Sequence, residues 1–252
     1  LCPVSDGTMY GATHATTPPA GHLYWNAVGT WGDPLLNFIG GHLFHYDPRT
    51  GKAVDFGVIF PNEGIPFLLL DESRGRLYGM TYPKAHFFRV NLTGRGLVDY
   101  GRVSSWYSIG MILDAEGNVF MGDTNARLIK YDVRQDRLIF TESKTWAHPW
   151  NPSRRFSWLC NLTLADDGWI YGTNYRNDHL YRFDPKASAP QFEDLGPALP
   201  GEKCGGPRAL VSDGRGRLYY ITYPPGTTYE GGQPPIYVRY TPATGEKEVI
   251  GA

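Results

Sequence analysis

Polar and apolar residues alternate with period two in several short stretches of this chain. They are His42-Leu43-Phe44-His45-Tyr46-Asp47, His86-Phe87-Phe88-Arg89-Val90-Asn91, Arg127-Leu128-Ile129-Lys130-Tyr131-Asp132, His179-Leu180-Tyr181-Arg182-Phe183-Asp184 and Ile236-Tyr237-Val238-Arg239-Tyr240-Thr241. That period puts successive side chains on opposite faces, so each stretch predicts a strand with one buried face. A second element precedes each of them. Its copies are Asp6-Gly7-Thr8-Met9-Tyr10-Gly11, Arg74-Gly75-Arg76-Leu77-Tyr78-Gly79, Glu116-Gly117-Asn118-Val119-Phe120-Met121, Asp167-Gly168-Trp169-Ile170-Tyr171-Gly172 and Arg215-Gly216-Arg217-Leu218-Tyr219-Tyr220. The leading glycines are 68, 42, 51 and 48 residues apart.

Each repeat reads as four strands. Strand A is a short apolar run (Phe67–Leu70, Gly110–Leu113, Leu159–Leu164, Ala209–Val211) that ends in an acidic or Gly hairpin. The hairpin glycine supplies the positive φ such turns need. Strand B is the Leu-Tyr-Gly element and strand C the alternating one, closed by a turn such as Asp47 to Gly51 or Thr241 to Gly245. Strand D is a segment such as Ala53–Phe56 or Leu97–Tyr100. Units of roughly 40–50 residues with four strands each are the pattern of a β-propeller. A β-sandwich does not account for five in-register copies. The expected fold is all-β: one propeller domain over 1–252, with five four-stranded blades near 1–60, 61–103, 104–150, 151–200 and 201–252. Five blades either close the ring or form part of a longer, seven-bladed propeller.

The repeat breaks in the first blade, where the B–C connection from Ala12 to roughly Gly41 is some twenty residues longer than the others; loops of that length are usually functional or disordered. It holds His14, His22, Tyr24, Trp25 and Trp31, too aromatic for a disordered linker. Charge narrows the partners. With 24 Lys+Arg against 25 Asp+Glu the chain lacks the basic excess that nucleic acid demands. The longest apolar run, Ile65 to Leu70, is far too short to span a bilayer. Neither a basic leader nor a signal-type apolar stretch opens this numbering. Cys2, Cys160 and Cys204 form neither a disulfide framework nor a zinc pattern, and read as small buried residues. The sequons at Asn91 and Asn161 read as chance occurrences.

In a propeller the D–A and B–C connections emerge on one face around the central channel. Read off these loops, the candidates are His14, His22 and His42 in blade one, Tyr82, Lys84 and His86 in blade two, and Arg102 after it. Arg155, Trp158 and Tyr175 follow in blade four, and Arg208 and Tyr223 in blade five. The set is rich in His, Tyr, Arg and Trp and poor in the paired carboxylates a glycosidase needs. Arginine forks and aromatic platforms suit an anionic sugar. His42 and His45 are three apart on a strand, so they point to opposite faces and do not chelate together. No Cys or carboxylate spacing supports a metal at His14 and His22.

With the blades in place, the sequence resembles the propeller polysaccharide lyases that act on rhamnose–glucuronate linkages (ulvan and rhamnose–glucuronate lyases) and the related propeller α-L-rhamnosidases. The resemblance lies in blade texture and in two histidines, His22 and His42, followed by Tyr82, Arg102 and Arg155. It implies β-elimination on a uronate, with His22, His42 or Tyr82 as base and acid. Arg102, Arg155 or Arg208 would neutralise the carboxylate, and Trp158, Tyr175 and His14 would hold the sugar. Such an elimination needs no organic cofactor; a structural metal ion is left open. The implied partner is an anionic oligo- or polysaccharide, with no nucleic acid and no membrane, and the implied location is secreted or periplasmic. Two other classes stay open. One is a non-catalytic glycan-binding or protein-interaction propeller, and the other a metal-dependent hydrolase, for which inward acidic ligands are lacking.

Overall fold

The structure, a computed structural model, describes residues 1–14, 39–105, 108, 110–145, 159–174, 177–200, 207–223 and 234–252. Among these residues twenty strands form five four-stranded antiparallel sheets, each a meander of sequential neighbours. The first sheet is β1 (Cys2–Pro3), β2 (Met9–Ala12), β3 (His42–Asp47) and β4 (Lys52–Val58), and the second β5 (Gly64–Asp71), β6 (Arg76–Tyr82), β7 (His86–Asn91) and β8 (Val98–Arg102). The third holds β9 (Met111–Leu113), β10 (Val119–Gly122), β11 (Arg127–Asp132) and β12 (Arg137–Lys144). The fourth comprises β13 (Leu159–Leu164), β14 (Ile170–Asn174), β15 (Asn177–Phe183) and β16 (Glu193–Pro197), and the fifth β17 (Arg208–Ser212), β18 (Leu218–Thr222), β19 (Ile236–Thr241) and β20 (Glu246–Gly251). Strands A to D of each repeat are therefore present in order. The hairpin glycines Gly7, Gly75, Gly117, Gly168 and Gly216 all take positive φ, from 63° to 86°.

The chain divides into two compact units, 1–107 with the first two sheets and 108–252 with the other three. In the first unit, Leu43, Phe60 and Ile65 pack with Leu77, Phe88 and Val90 of the second sheet. In the other, Phe120 and Leu128 of the third sheet meet Leu159, Ile170, Tyr181 and Phe183 of the fourth. The opposite face of the fourth sheet, with Tyr171, Leu180 and Leu199, packs on Leu218, Tyr220, Val238 and Tyr240 of the fifth. Strands B and C supply most of these side chains, whereas the outermost strands β4 and β20 are largely exposed. Among the described residues no helix is long and apolar enough to cross a membrane.

The recurrent glycine of the Leu-Tyr-Gly element has a steric cause. Gly79 pairs directly with Phe88 across β6 and β7, and a Cβ on it would overlap the Phe88 ring. Gly11 stands in the same relation to Phe44. The missing side chain lets an aromatic ring lie flat on the neighbouring strand, which keeps the blade thin enough to pack face to face.

Candidate functional site

The ends of the B strands in the first unit carry a polar cluster built from repeat positions. Thr13 follows β2 and Thr81 lies near the end of β6, six residues after their hairpin glycines. Each hydroxyl accepts a bond from the backbone N–H that opens strand C: His42 N to Thr13 Oγ1 at 2.8 Å, and His86 N to Thr81 Oγ1 at 2.9 Å. The next residues in the repeat, His14 and Tyr82, lie side by side, with ring centroids 5.0 Å apart and planes at 90°. The D–A connection stitches the two exits together. Gly41 N donates to Glu63 O at 2.7 Å and Ile65 N to Thr13 O at 3.1 Å. Gly64 is the register partner of Tyr82, and a Cβ there would overlap the His14 imidazole. The histidine thus rests on bare backbone.

His14 Nδ1 is buried and has no hydrogen-bond partner among the described residues. Burial pushes the imidazole below its ordinary value, since desolvation penalises the charged form, so the ring is neutral at pH 7. Behind Tyr82 sits Glu63, only 3% exposed. Its carboxylate accepts from Thr81 Oγ1 at 2.5 Å and pairs with Lys84 Nζ at 3.3 Å. Arg102 stands opposite His86 in the register of β7 and β8. Its Nε donates to Ser104 O at 2.8 Å and its Nη2 to Ser105 O at 3.1 Å, and it has no carboxylate partner among the described residues. Lys84 and the buried Glu63 are therefore tied through Thr81 to the exit that carries Tyr82, and Arg102 lies opposite His86 at the start of strand C.

His42 needs a different account. Its Nδ1 contacts both Asp55 oxygens, at 3.0 and 2.8 Å, and His86 does the same with Asp99 and His179 with Asp194. In each case the aspartate belongs to an Asp-x-Gly segment and accepts from the N–H of the glycine two residues on: Gly57, Gly101 and Gly196. This is a clamp between the start of strand C and strand D, repeated in three sheets. Its recurrence gives His42 a structural task shared with His86 and His179, beside the proton-transfer role expected from the sequence. His45 instead bonds Thr8 Oγ1 at 2.9 Å, so the two histidines do serve different places.

In the second unit Arg208 opens β17, half-buried. Nearby, Asn161 Nδ2 donates to Thr173 Oγ1 at 2.9 Å and to Pro207 O at 3.1 Å. That amide is fully engaged, so the Asn161 sequon serves packing. Cys160 is buried, and its thiol is pushed up to about 11, chiefly by burial. Cys2 is likewise a buried free thiol. His22, Arg155, Trp158, Tyr175 and Cys204 lie outside the described residues. Of the expected site, the structure brings together His14 and Tyr82, with Arg102 near the same loop, and describes Arg208 separately in the other unit. Sequence reasoning missed Glu63 and the clamp aspartates. The Asp-x-Gly repeat, 13 to 15 residues after each histidine, would have revealed the clamps; Glu63 has no repeat signal at all. Among the described residues no group of three or more His, Cys, Asp or Glu side chains is arranged to hold a metal ion.

Solved structures share this architecture. Virginiamycin B lyase from Staphylococcus aureus matches with a TM-score of 0.60 at 15% identity, over 83% of this chain and 62% of that one. A protein from Lactobacillus plantarum matches with a TM-score of 0.63 at 16% identity, over 97% of this chain and 66% of that one. The fold is a β-propeller. The tricorn protease, at a TM-score of 0.59 and 13% identity, covers 84% of this propeller chain and 24% of its own. The chain thus spans less than two thirds of each of these proteins. No protein-family model matches the sequence, and no curated protein does.

Proposed function

We propose that this propeller is a lyase that opens a uronate-bearing glycan, of the rhamnose–glucuronate kind, by β-elimination at the Tyr82 site. The observation that carries the reading is the edge-to-face pair of neutral His14 and Tyr82, on an exit whose neighbouring segments carry Lys84 and Arg102. In such a reaction a base takes the proton α to the carboxylate, the C–H electrons form C4=C5, and the C4–O bond breaks with protonation of the leaving oxygen. Tyr82 suits both proton transfers. As a phenolate it removes the proton, and as the resulting phenol it returns it to the leaving oxygen on the same side. Nearby positive charge favours the phenolate, which assigns that task to Lys84 and Arg102.

The carboxylate must lose its negative character for the α proton to become acidic. Arg102, with its charge unspent on any described acid, supplies the fork for it. His14 adds a donor. An orphaned buried N–H costs more than an orphaned lone pair, so the unpartnered Nδ1 carries no proton and Nε2 does. That tautomer donates from Nε2. A fold likeness to a protein titled a lyase is consistent with an elimination catalyst on this scaffold. His22, Arg155, Arg208, Trp158 and Tyr175 remain candidates for substrate contact, and a secreted or periplasmic location goes with the proposed polysaccharide.

The test is incubation with ulvan and with rhamnose–glucuronate gums while following the unsaturated-uronate absorbance. Tyr82→Phe is expected to cut the rate by about 10²-fold or more, the usual weight of a proton-transfer group. Absence of both absorbance and released rhamnose from the wild type overturns the lyase. A second reading draws on Tyr82 and Tyr223, which share one repeat position and could act as equivalent stacking platforms of a lectin. It predicts binding of the same glycans without product.

A further inference from the structure

Glu63 is a buried carboxylate whose negative charge the blade does not need for its architecture. In other sheets neutral groups tie strand A, or the segment just before it, to strand B. In the third sheet the Ser108 hydroxyl accepts from Gly122 N at 3.3 Å, and in the fourth the Asn161 amide donates to Thr173 Oγ1 at 2.9 Å. An uncharged acceptor at position 63 would satisfy the Thr81 hydroxyl equally well. Burying a carboxylate carries a desolvation cost that a neutral amide avoids. What the charge adds is Lys84, whose ammonium it holds at 3.3 Å although most of that side chain is in solvent.

Resting on the elimination reading above, we infer that Glu63 is the positioning residue of the Tyr82 site. One carboxylate oxygen anchors Lys84 and the carboxylate also fixes Thr81, on either side of Tyr82 in sequence, so ring and ammonium are held in a set relation. A lysine left free would spread its charge over many rotamers. Tethered, it stays where it favours the Tyr82 phenolate. Glu63 touches no reacting atom; it acts through Lys84 and Thr81. Its backbone C=O, bonded by Gly41 N at 2.7 Å, ties the same point to the exit that carries His14.

Glu63→Gln keeps the shape and the acceptor for Thr81 while removing the charge. In protein labelled with ¹³C-tyrosine and ¹³C,¹⁵N-histidine, this variant should displace the Tyr82 and His14 ring resonances. Lys84→Ala should give a similar displacement, and the double variant no more than either alone, as coupled partners require. The surface control Glu116→Gln should leave both rings in place. Turnover of ulvan oligosaccharides should fall about 10–100-fold in kcat with KM within about threefold, and with a shifted pH profile, as expected when a proton-transfer group is mispositioned. Glu63→Asp, which keeps the charge, should recover part of kcat.

Tyr82 and His14 resonances unchanged in Glu63→Gln overturn the inference. So does a Tm drop with kcat and pH profile at wild-type values. If the wild type turns over no glycan the lyase reading falls, and the ring resonances still decide whether Glu63 positions this cluster. Should Glu63→Gln fail to fold, Lys84→Ala and Glu63→Asp carry the same comparison.

Discussion

His14 shows how one side chain takes its properties from backbone it does not own. The ring lies against Gly64, packs edge-on to Tyr82 and is held neutral by burial. Its pKa in the folded state lies below the ordinary value of about 6.5 that it regains on unfolding, so the unfolded chain binds more protons just below that pH. Stability from this group is fully present above pH about 6.5 and is lost as pH falls toward the folded value. Denaturant titrations at pH 7.5 and 5 should therefore show a smaller acid loss for His14→Gln than for the wild type; equal losses would exclude His14 as a source. His42 makes the opposite case. Its pair with Asp55 is solvent-exposed (37% and 59%), and Asp55 is already held low first by the Gly57 N–H and then by His42. His42→Ala is expected to cost no more than about 1 kcal/mol, typical of exposed pairs, and to leave glycan turnover within about twofold. A collapse of turnover in a folded His42→Ala protein would restore it to the reaction.

At the level of the strand, the Leu-Tyr-Gly element encodes packing as well as pairing. The tyrosine at this place is fully buried in β6 and β14, while the glycine of β2 and β6 opens room for a cross-strand ring and that of β14 for Leu162. Gly79→Ala should push Phe88 out of its cluster and cost about 1–3 kcal/mol, the usual range for overpacking, read as a lower denaturation midpoint at unchanged slope. A neutral result would mean that the Phe88 ring has another rotamer available. The B-strand exits obey the same logic. Thr13 and Thr81 make one bond to the start of strand C, and that single hydroxyl sets where the next residue emerges. His14 and Tyr82 are thus delivered by identical local chemistry. They differ in the side chain placed there and in the Glu63 carboxylate that the Thr81 hydroxyl also binds.

Across the molecule, the two buried thiols mark the two compact units, Cys2 in residues 1–107 and Cys160 in residues 108–252. A thiol near 11 has about 100-fold less thiolate at pH 8 than an ordinary cysteine, before any shielding by burial. In a Cys204→Ser background, alkylation of Cys160 should run at least about 100-fold slower in the folded protein than in denaturant. Cys2, also pushed up mainly by burial, should be slowed as well. Mass spectrometry then follows the opening of each unit at its own thiol, and fast labelling of native Cys160 would contradict its buried setting. The near-balance of charge, 24 against 25, means that binding of the proposed anionic glycan would rest on local cations such as Lys84 and Arg102 rather than on the protein's overall field.

The all-β architecture, the four strands per unit, the hairpin glycines and the candidates His14 and Tyr82 were legible in the chain alone. All of these follow from short-range rules: period-two alternation, turn stereochemistry and position within a repeat. Three things were not legible. Glu63 belongs to no repeat and gains its role only where the loop before β5 folds over the end of β6. The clamp at His42 shows itself only when its aspartate, 13 residues on, is seen to recur beside His86 and His179 in the paired strands. And the contact of His14 with Tyr82 joins positions 68 residues apart, through backbone bonds from Gly41 and Ile65 that set two strand exits side by side. Local propensity writes each blade, but which side chains face one another depends on how neighbouring blades are stitched, and that is a property of the packed fold.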